Sequence, residues 1–135
     1  LVREGRMLRL ATTEGVKRDS FIDQYLEKYQ TLKFAGKLEM KQLPQIQCYK
    51  PGDGFYKWHC DGTQLSCDRA LVYMTYLNDV PDGGTEFMHQ EITTKAVKGK
   101  TVIWPAGLTH IHRGQIAKED TKYIITGWLW WDNTK

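Results

Sequence analysis

Cysteine is scarce in this 135-residue sequence: there are three, Cys48, Cys60 and Cys67. An odd, widely spaced set without metal-finger spacing argues against a disulfide scaffold and suits free thiols in a reducing, cytoplasmic setting. No apolar run approaches the roughly 20 residues that a membrane span needs, so no membrane partner is expected. A signal-peptide pattern is also missing, although a first residue of Leu1 leaves the natural start open. Charge of one sign is not in excess either. The 19 Lys+Arg against 16 Asp+Glu leave +3, which neither requires nor excludes a polyanionic partner. Repeats, low-complexity runs and linkers are lacking, so residues 1–135 read as one domain, with 1–37 supporting a β core over 38–135.

What the chain does have is apolar and aromatic surface, 41% and 12% of residues respectively, enough for a real core. Residues 1–18 mix charge with a short apolar group and have room for one edge strand. Asp19 or Ser20 can cap a helix over about 20–33, in which Phe21, Ile22, Tyr25, Leu26, Tyr29 and Leu32 recur at helical spacing and form a face to pack on a sheet. Leu38 to Tyr49 reads as extended, with Pro44 restricting part of it to an edge. Lys50-Pro51-Gly52-Asp53-Gly54 is a turn, and Phe55 to Asp61 reads as a strand. Arg69 to Leu77 is apolar on both faces, as a central buried strand would be. After the Asn78 to Gly84 loop, 85–88, 93–97, 101–104 and 122–131 are strand-like. A mainly β protein follows, an antiparallel double sheet of jelly-roll type with one amphipathic helix packed on a sheet.

Within this pattern, Trp58-His59-Cys60-Asp61-Gly62 holds the chemistry. On a strand, alternate side chains share a face, so His59 and Asp61 project together while Cys60 points away as a core thiol. A histidine from a neighbouring strand would complete two imidazoles and one carboxylate, a donor set used by Fe(II) sites with open coordination positions. His110 and His112 share strand parity in Thr-His-Ile-His-Arg-Gly, so parity leaves both open. His112 is the candidate and His110 the alternative.

The segments CYKPGDGFYKWHCDG, RALVYMTYLNDVPDGGTEF and HRGQIAKEDTKYIITGW, in that order, resemble the Fe(II)/2-oxoglutarate-dependent dioxygenases, in particular the prolyl 4-hydroxylase branch. The resemblance covers the C-terminal two thirds. It implies a double-stranded β-helix and a metal triad of His59, Asp61 and His112, which also form the catalytic centre. Lys122, ten residues beyond His112, matches the basic residue that holds the distal carboxylate of 2-oxoglutarate. Tyr49 and Tyr76 match tyrosines that hydrogen-bond this cosubstrate in related enzymes. Thr126 and Trp128 share the strand face of Lys122. The resemblance also implies Thr126 as a further cosubstrate contact and Trp128 and Arg69 as substrate contacts.

The resemblance further implies Fe(II), 2-oxoglutarate and O2 as reactants, with ascorbate as a possible reductant. Oxidative decarboxylation to succinate and CO2 would drive hydroxylation of an unactivated C–H, that of a prolyl residue in a peptide or protein. Two other functions use parts of the same pattern. Oxidative demethylation of alkylated nucleic acid shares the iron chemistry, but that branch has a pair of arginines where this chain has Lys122, so a nucleic-acid partner is not expected. A metal- or sugar-binding jelly roll without redox activity would not need Lys122 as a carboxylate anchor.

Overall fold

The computed structural model describes residues 6–9 and 20–134. Strand β1 (Arg6–Arg9) is the expected N-terminal edge strand. In place of one helix over 20–33 there are two, α1 (Ser20–Lys28) and α2 (Thr31–Ala35). Between them the backbone tightens: the amides of Leu32 and Lys33 bond the carbonyls of Tyr29 and Gln30, each at 3.0 Å and three residues back. Tyr29 sits at that break and is largely exposed, whereas Ile22, on the regular part of α1, is buried. Of the two candidate caps, Asp19 lies outside the described residues and Ser20 is the first residue of α1.

The extended stretch 38–49 divides into β2 (Leu38–Glu39) and β3 (Gln45–Tyr49). Pro44, immediately before β3, has no amide for a ladder, and the chain breaks there. Then follow β4 (Arg69–Tyr76), β5 (Thr85–Phe87), β6 (Ile92–Thr93), β7 (Thr101–Pro105), β8 (His112–Gly114) and β9 (Lys122–Trp131). The strand expected over 93–97 is reduced to β6. Beyond it, Ala96 makes only an isolated bridge to Val80.

Two antiparallel sheets result. The larger runs β1-β3-β9-β4-β7, with β2 also on β9, and the smaller runs β6-β5-β8. This is the expected jelly roll. Burial on both faces of β4 explains its apolar sequence. Leu71 and Tyr73 face outward into a cluster with Ile22, Leu38 and Leu129, against which Phe21, Tyr25 and Leu26 of α1 pack. Val72, Met74 and Tyr76 face inward with Trp104 and Ile124. Each fully buried side chain of this size contributes about 1.5–3 kcal/mol.

Gly84, where β5 begins, has no room for a side chain: a Cβ there would sit 1.8 Å from the Thr94 carbonyl oxygen. That carbonyl belongs to backbone whose amide bonds Thr85 at 2.8 Å, so it has little freedom to withdraw. Gly84→Ala is therefore expected to destabilise the fold by about 1–3 kcal/mol or more. Thermal unfolding tests this, and an unchanged Tm would mean that the 84–94 contact yields easily.

Candidate active site

Residues 55–61 carry two of the three candidate ligands without forming the strand expected of them. Their backbone is bonded to two different places. The His59 amide donates to the His112 carbonyl at 3.0 Å, and the His112 amide donates back to His59 at 2.9 Å. Two residues on, the Asp61 amide donates instead to the Ala106 carbonyl, just beyond β7, at 3.0 Å. A segment tied first to β8 and then to the end of β7 cannot keep one continuous ladder. The two side chains still converge as their spacing implied, and donor atoms of His59, Asp61 and His112 all lie within 4.8 Å of one another.

Both imidazoles are held by their far nitrogens. His59 Nδ1 lies 2.9 Å from the Lys57 carbonyl and His112 Nδ1 lies 2.9 Å from the His110 carbonyl. A carbonyl only accepts, so each Nδ1 carries the proton and each Nε2 is left with its lone pair. Burial lowers the pKa of His112 and favours the neutral ring, against the opposing pull of the His110 carbonyl and the Asp61 carboxylate. Asp61 Oδ2 is buried, has no hydrogen-bond partner among the described residues and lies 3.3 Å from His112 Nε2. Two lone-pair donors facing each other at this distance call for a cation between them. Two nitrogens and one carboxylate oxygen fit Fe(II) with positions left open.

Local structure sets His110 and His112 apart, and His112 is the one grouped with His59 and Asp61. Residues Leu108–His110 form a 3₁₀ turn, so strand parity does not extend back to His110. Its ring bonds the Thr109 hydroxyl at 2.9 Å, and it serves His112 through its carbonyl. Cys60 is half-buried, with its thiol donating to the Gly62 carbonyl at 3.4 Å. All three cysteines are free thiols.

The triad opens on a cavity of about 340 Å³ between the sheets. Lys122, Ile124, Thr126 and Trp128 of β9 line it, the face expected from their parity, and Tyr49, Gln47 and Gln45 lie opposite on β3 in register with the first three. Lys122 is only 4% exposed. Its ammonium donates to the Gln115 carbonyl at 3.0 Å and stands 5.4 Å from the centre of the Tyr49 ring. Among the described residues no carboxylate comes within 4 Å of it. Burial pulls its pKa down to about 8, with Asp82 opposing. A buried cation of this kind is set for an anionic guest.

Other candidates are placed differently. Tyr49 lines the cavity and its hydroxyl donates to Gln47 Oε1 at 2.6 Å. Tyr76 does not line it. Fully buried, it bonds the hydroxyls of Thr85 at 2.8 Å and Thr94 at 2.7 Å, one layer behind the wall that Thr85 forms. Burial raises its pKa, so the phenol stays neutral. Thr126 reaches the cavity, yet its hydroxyl donates to the Tyr73 carbonyl at 3.2 Å. Arg69 is absent from the cavity wall, and its guanidinium lies over the Trp128 ring, 4.1 Å from the centroid. Asp68, a possible partner for it, pairs with Lys41 at 3.1 Å. Trp128 donates its indole N–H to Asp61 Oδ1 at 3.0 Å.

Sequence reasoning missed Gln45, Gln47, Thr85 and Trp104, which also line the cavity. The glutamines were within reach, since they alternate with Tyr49 in QIQCY. Thr85 and Trp104 come from β5 and β7, and their approach to His112 depends on sheet order. The Trp104 ring meets that of His112 edge-on at 4.9 Å.

Residues 44–130 match the family model for the 2OG-Fe(II) oxygenase superfamily. Among curated protein sequences none matches the chain. Among solved structures, the fold is similar to the viral collagen prolyl hydroxylase of Paramecium bursaria Chlorella virus-1, solved with 2-oxoglutarate, at TM-score 0.74 and 20% identity over 98% of this chain and 83% of that one. A Pseudomonas putida prolyl-4-hydroxylase is similar at TM-score 0.62 and 18% identity over 94% and 72% of the two chains. A Trichoplax adhaerens prolyl hydroxylase, solved with a hypoxia inducible factor oxygen degradation domain peptide fragment, gives TM-score 0.68 and 15% identity over 96% and 65%. With the family match reaching from the residue before β3 almost to the end of β9, the chain belongs to the 2OG-Fe(II) oxygenase superfamily and is a 2-oxoglutarate-dependent dioxygenase.

Proposed function

We propose that the chain hydroxylates an unactivated C–H, that of a prolyl residue in a peptide or protein, while 2-oxoglutarate is converted to succinate and CO2. One observation carries this reading: Lys122, a buried cation with no carboxylate within 4 Å among the described residues, lines the same cavity as the lone pairs of His59, Asp61 and His112. A site for an anion and a site for a metal share one chamber.

In this reading His59 and His112 hold Fe(II) through Nε2 and Asp61 holds it through a carboxylate oxygen. Bound iron supplies open coordination positions and the redox chemistry that couples 2-oxoglutarate decarboxylation to hydroxylation. Lys122 pairs with the distal carboxylate, its ammonium aimed by the Gln115 carbonyl. Tyr49 and Thr126 complete the cavity wall around the cosubstrate. Ile124, Val72 and Met74 keep that wall apolar, which strengthens the ion pair by excluding water.

Support for a peptide substrate comes from the surface beside His59, where Tyr56 and Trp58 are each more than a third exposed. Aromatic faces of this kind suit the flat apolar ring of proline. Arg113 lies over Trp58, 4.2 Å from the ring centroid, and is ion-paired with Glu86, which holds this aromatic in place. The three free thiols suit a reducing, cytoplasmic compartment. Among the described residues no helix is long and apolar enough to cross a membrane.

The test is anaerobic titration of Fe(II)-loaded protein with 2-oxoglutarate. A weak visible charge-transfer band is expected as the 2-oxo acid chelates the metal. Air and ascorbate would then be admitted with proline-containing peptides, and a 16 Da mass gain on proline is expected with stoichiometric succinate. No band in folded, iron-loaded protein would overturn the reading. A band with succinate but no modified peptide would restrict the failure to the choice of substrate.

A further inference from the structure

The two carboxylate oxygens of Asp61 have different surroundings. Oδ2 is buried without a hydrogen-bond partner among the described residues and faces His112 Nε2 at 3.3 Å. Oδ1 accepts the indole N–H of Trp128 at 3.0 Å. An indole N–H only donates, so Oδ1 is the acceptor in this bond.

The indole is itself braced. The Arg69 guanidinium lies flat enough against it to bring Cζ 4.1 Å from the ring centroid, and the same side chain reaches the Asp61 carbonyl from Nη1 at 3.4 Å. The Trp130 ring stands edge-on to it at 6.2 Å, and the Arg69 Cζ is also 5.6 Å from the Trp130 centroid. Turning the Trp128 ring away from Asp61 would break both ring contacts at once. Because Trp128 lies on β9, the strand paired with both β3 and β4, its backbone is fixed as well.

We propose that Trp128 is a positioning residue of the metal centre: by occupying Oδ1 it makes Asp61 a one-oxygen ligand through Oδ2, with Arg69 as the brace that holds the indole in place. A carboxylate that bound through both oxygens would take an additional coordination position. Keeping Oδ1 engaged elsewhere leaves that position for the reactants. This role differs from the substrate contacts expected of Arg69 and Trp128, and it rests on the metal-centre reading above.

Co(II), which reports its coordination number through its visible bands, provides the test with no turnover required. Wild type and Trp128→Phe would be titrated with Co(II), the phenylalanine keeping the ring and removing the N–H. The expected result is a 10- to 100-fold weaker affinity, the usual effect of losing a ligand's outer hydrogen bond, with weaker bands as Asp61 swings to two-oxygen binding. Affinity within about twofold of wild type and an unchanged spectrum would overturn the proposal. If Trp128→Phe does not fold, the Zn(II)-loaded wild type decides by NMR. There the Trp128 indole proton is expected to exchange slowly with solvent, and exchange as fast as that of the exposed Trp58 would overturn the proposal. Wild type that takes up neither ion would overturn the metal-centre reading itself, so the two failures are distinguishable.

Discussion

Lys122→Met is expected to raise the stability of the protein and to weaken its binding of 2-oxoglutarate. The ammonium is buried and donates to the Gln115 carbonyl, and burial lowers its pKa to about 8 from the usual 10.5. That gap corresponds to about 3 kcal/mol by which the folded state disfavours the charge. Since the unfolded chain holds this proton more tightly, the penalty is complete below pH 8 and is relieved as pH rises from about 8 towards 10.5. Methionine fills similar space without the charge, so the gain at pH 7 should approach that figure, visible as a higher Tm. Loss of the carboxylate's partner should weaken 2-oxoglutarate by about 2–5 kcal/mol, roughly 30-fold to several thousand-fold. The same lysine makes wild-type binding pH-dependent. Above pH 8 a proton must be taken up with the ligand, and affinity should fall about tenfold per pH unit. Calorimetry at several pH values tests both points. A variant less stable than wild type, or one that binds 2-oxoglutarate equally well, would contradict the role given to Lys122.

Removal of a proposed iron ligand is expected to have the other large effect. His112→Ala should reduce metal affinity by more than the roughly 10- to 100-fold that loss of an outer hydrogen bond produces, because a direct donor is lost. The backbone pairing between residues 59 and 112 uses only main-chain atoms and would survive the substitution, so the fold should persist. His110→Ala is the control: it keeps the carbonyl that orients His112 and should bind metal almost as wild type does. Equilibrium dialysis against Fe(II) under argon would measure all three proteins. Equal affinity in His112→Ala would eliminate it as a ligand, and a deficit confined to His110→Ala would reassign the third donor.

Much of this site was legible before any coordinates. The two-residue spacing of His59 and Asp61 brought their side chains together even though the expected strand did not form, because a bridge and a bend preserve the same local alternation. The face shared by Lys122, Thr126 and Trp128 was legible for the same reason, from regular parity along ten residues of β9. Tyr76, matched by resemblance to a cosubstrate tyrosine, points inward but gives its hydroxyl to Thr85 and Thr94, since a position along a strand carries a direction but no depth. Arg69 and Trp128 stack through the pairing of β4 with β9, which are more than forty residues apart in sequence and meet only through sheet order. The break at Tyr29 also escaped notice, since a 3₁₀ step alters the helical period by too little to show in a stripe of aromatics.

The reciprocal amide bonds between His59 and His112 also bear on which metal the protein takes up. They tie the backbone of two of the three candidate ligands together through main-chain atoms alone. A site tied in this way has little means of rejecting a rival by refusing to close around it. Two imidazoles and a carboxylate bind Zn(II) and Cu(II) more tightly than Fe(II) in the usual affinity order of divalent metals. Occupancy by iron must then be governed by supply, by which metal is abundant and exchangeable where the chain folds. Mismetallation, with loss of activity but no loss of fold, is the failure to which this architecture is most exposed.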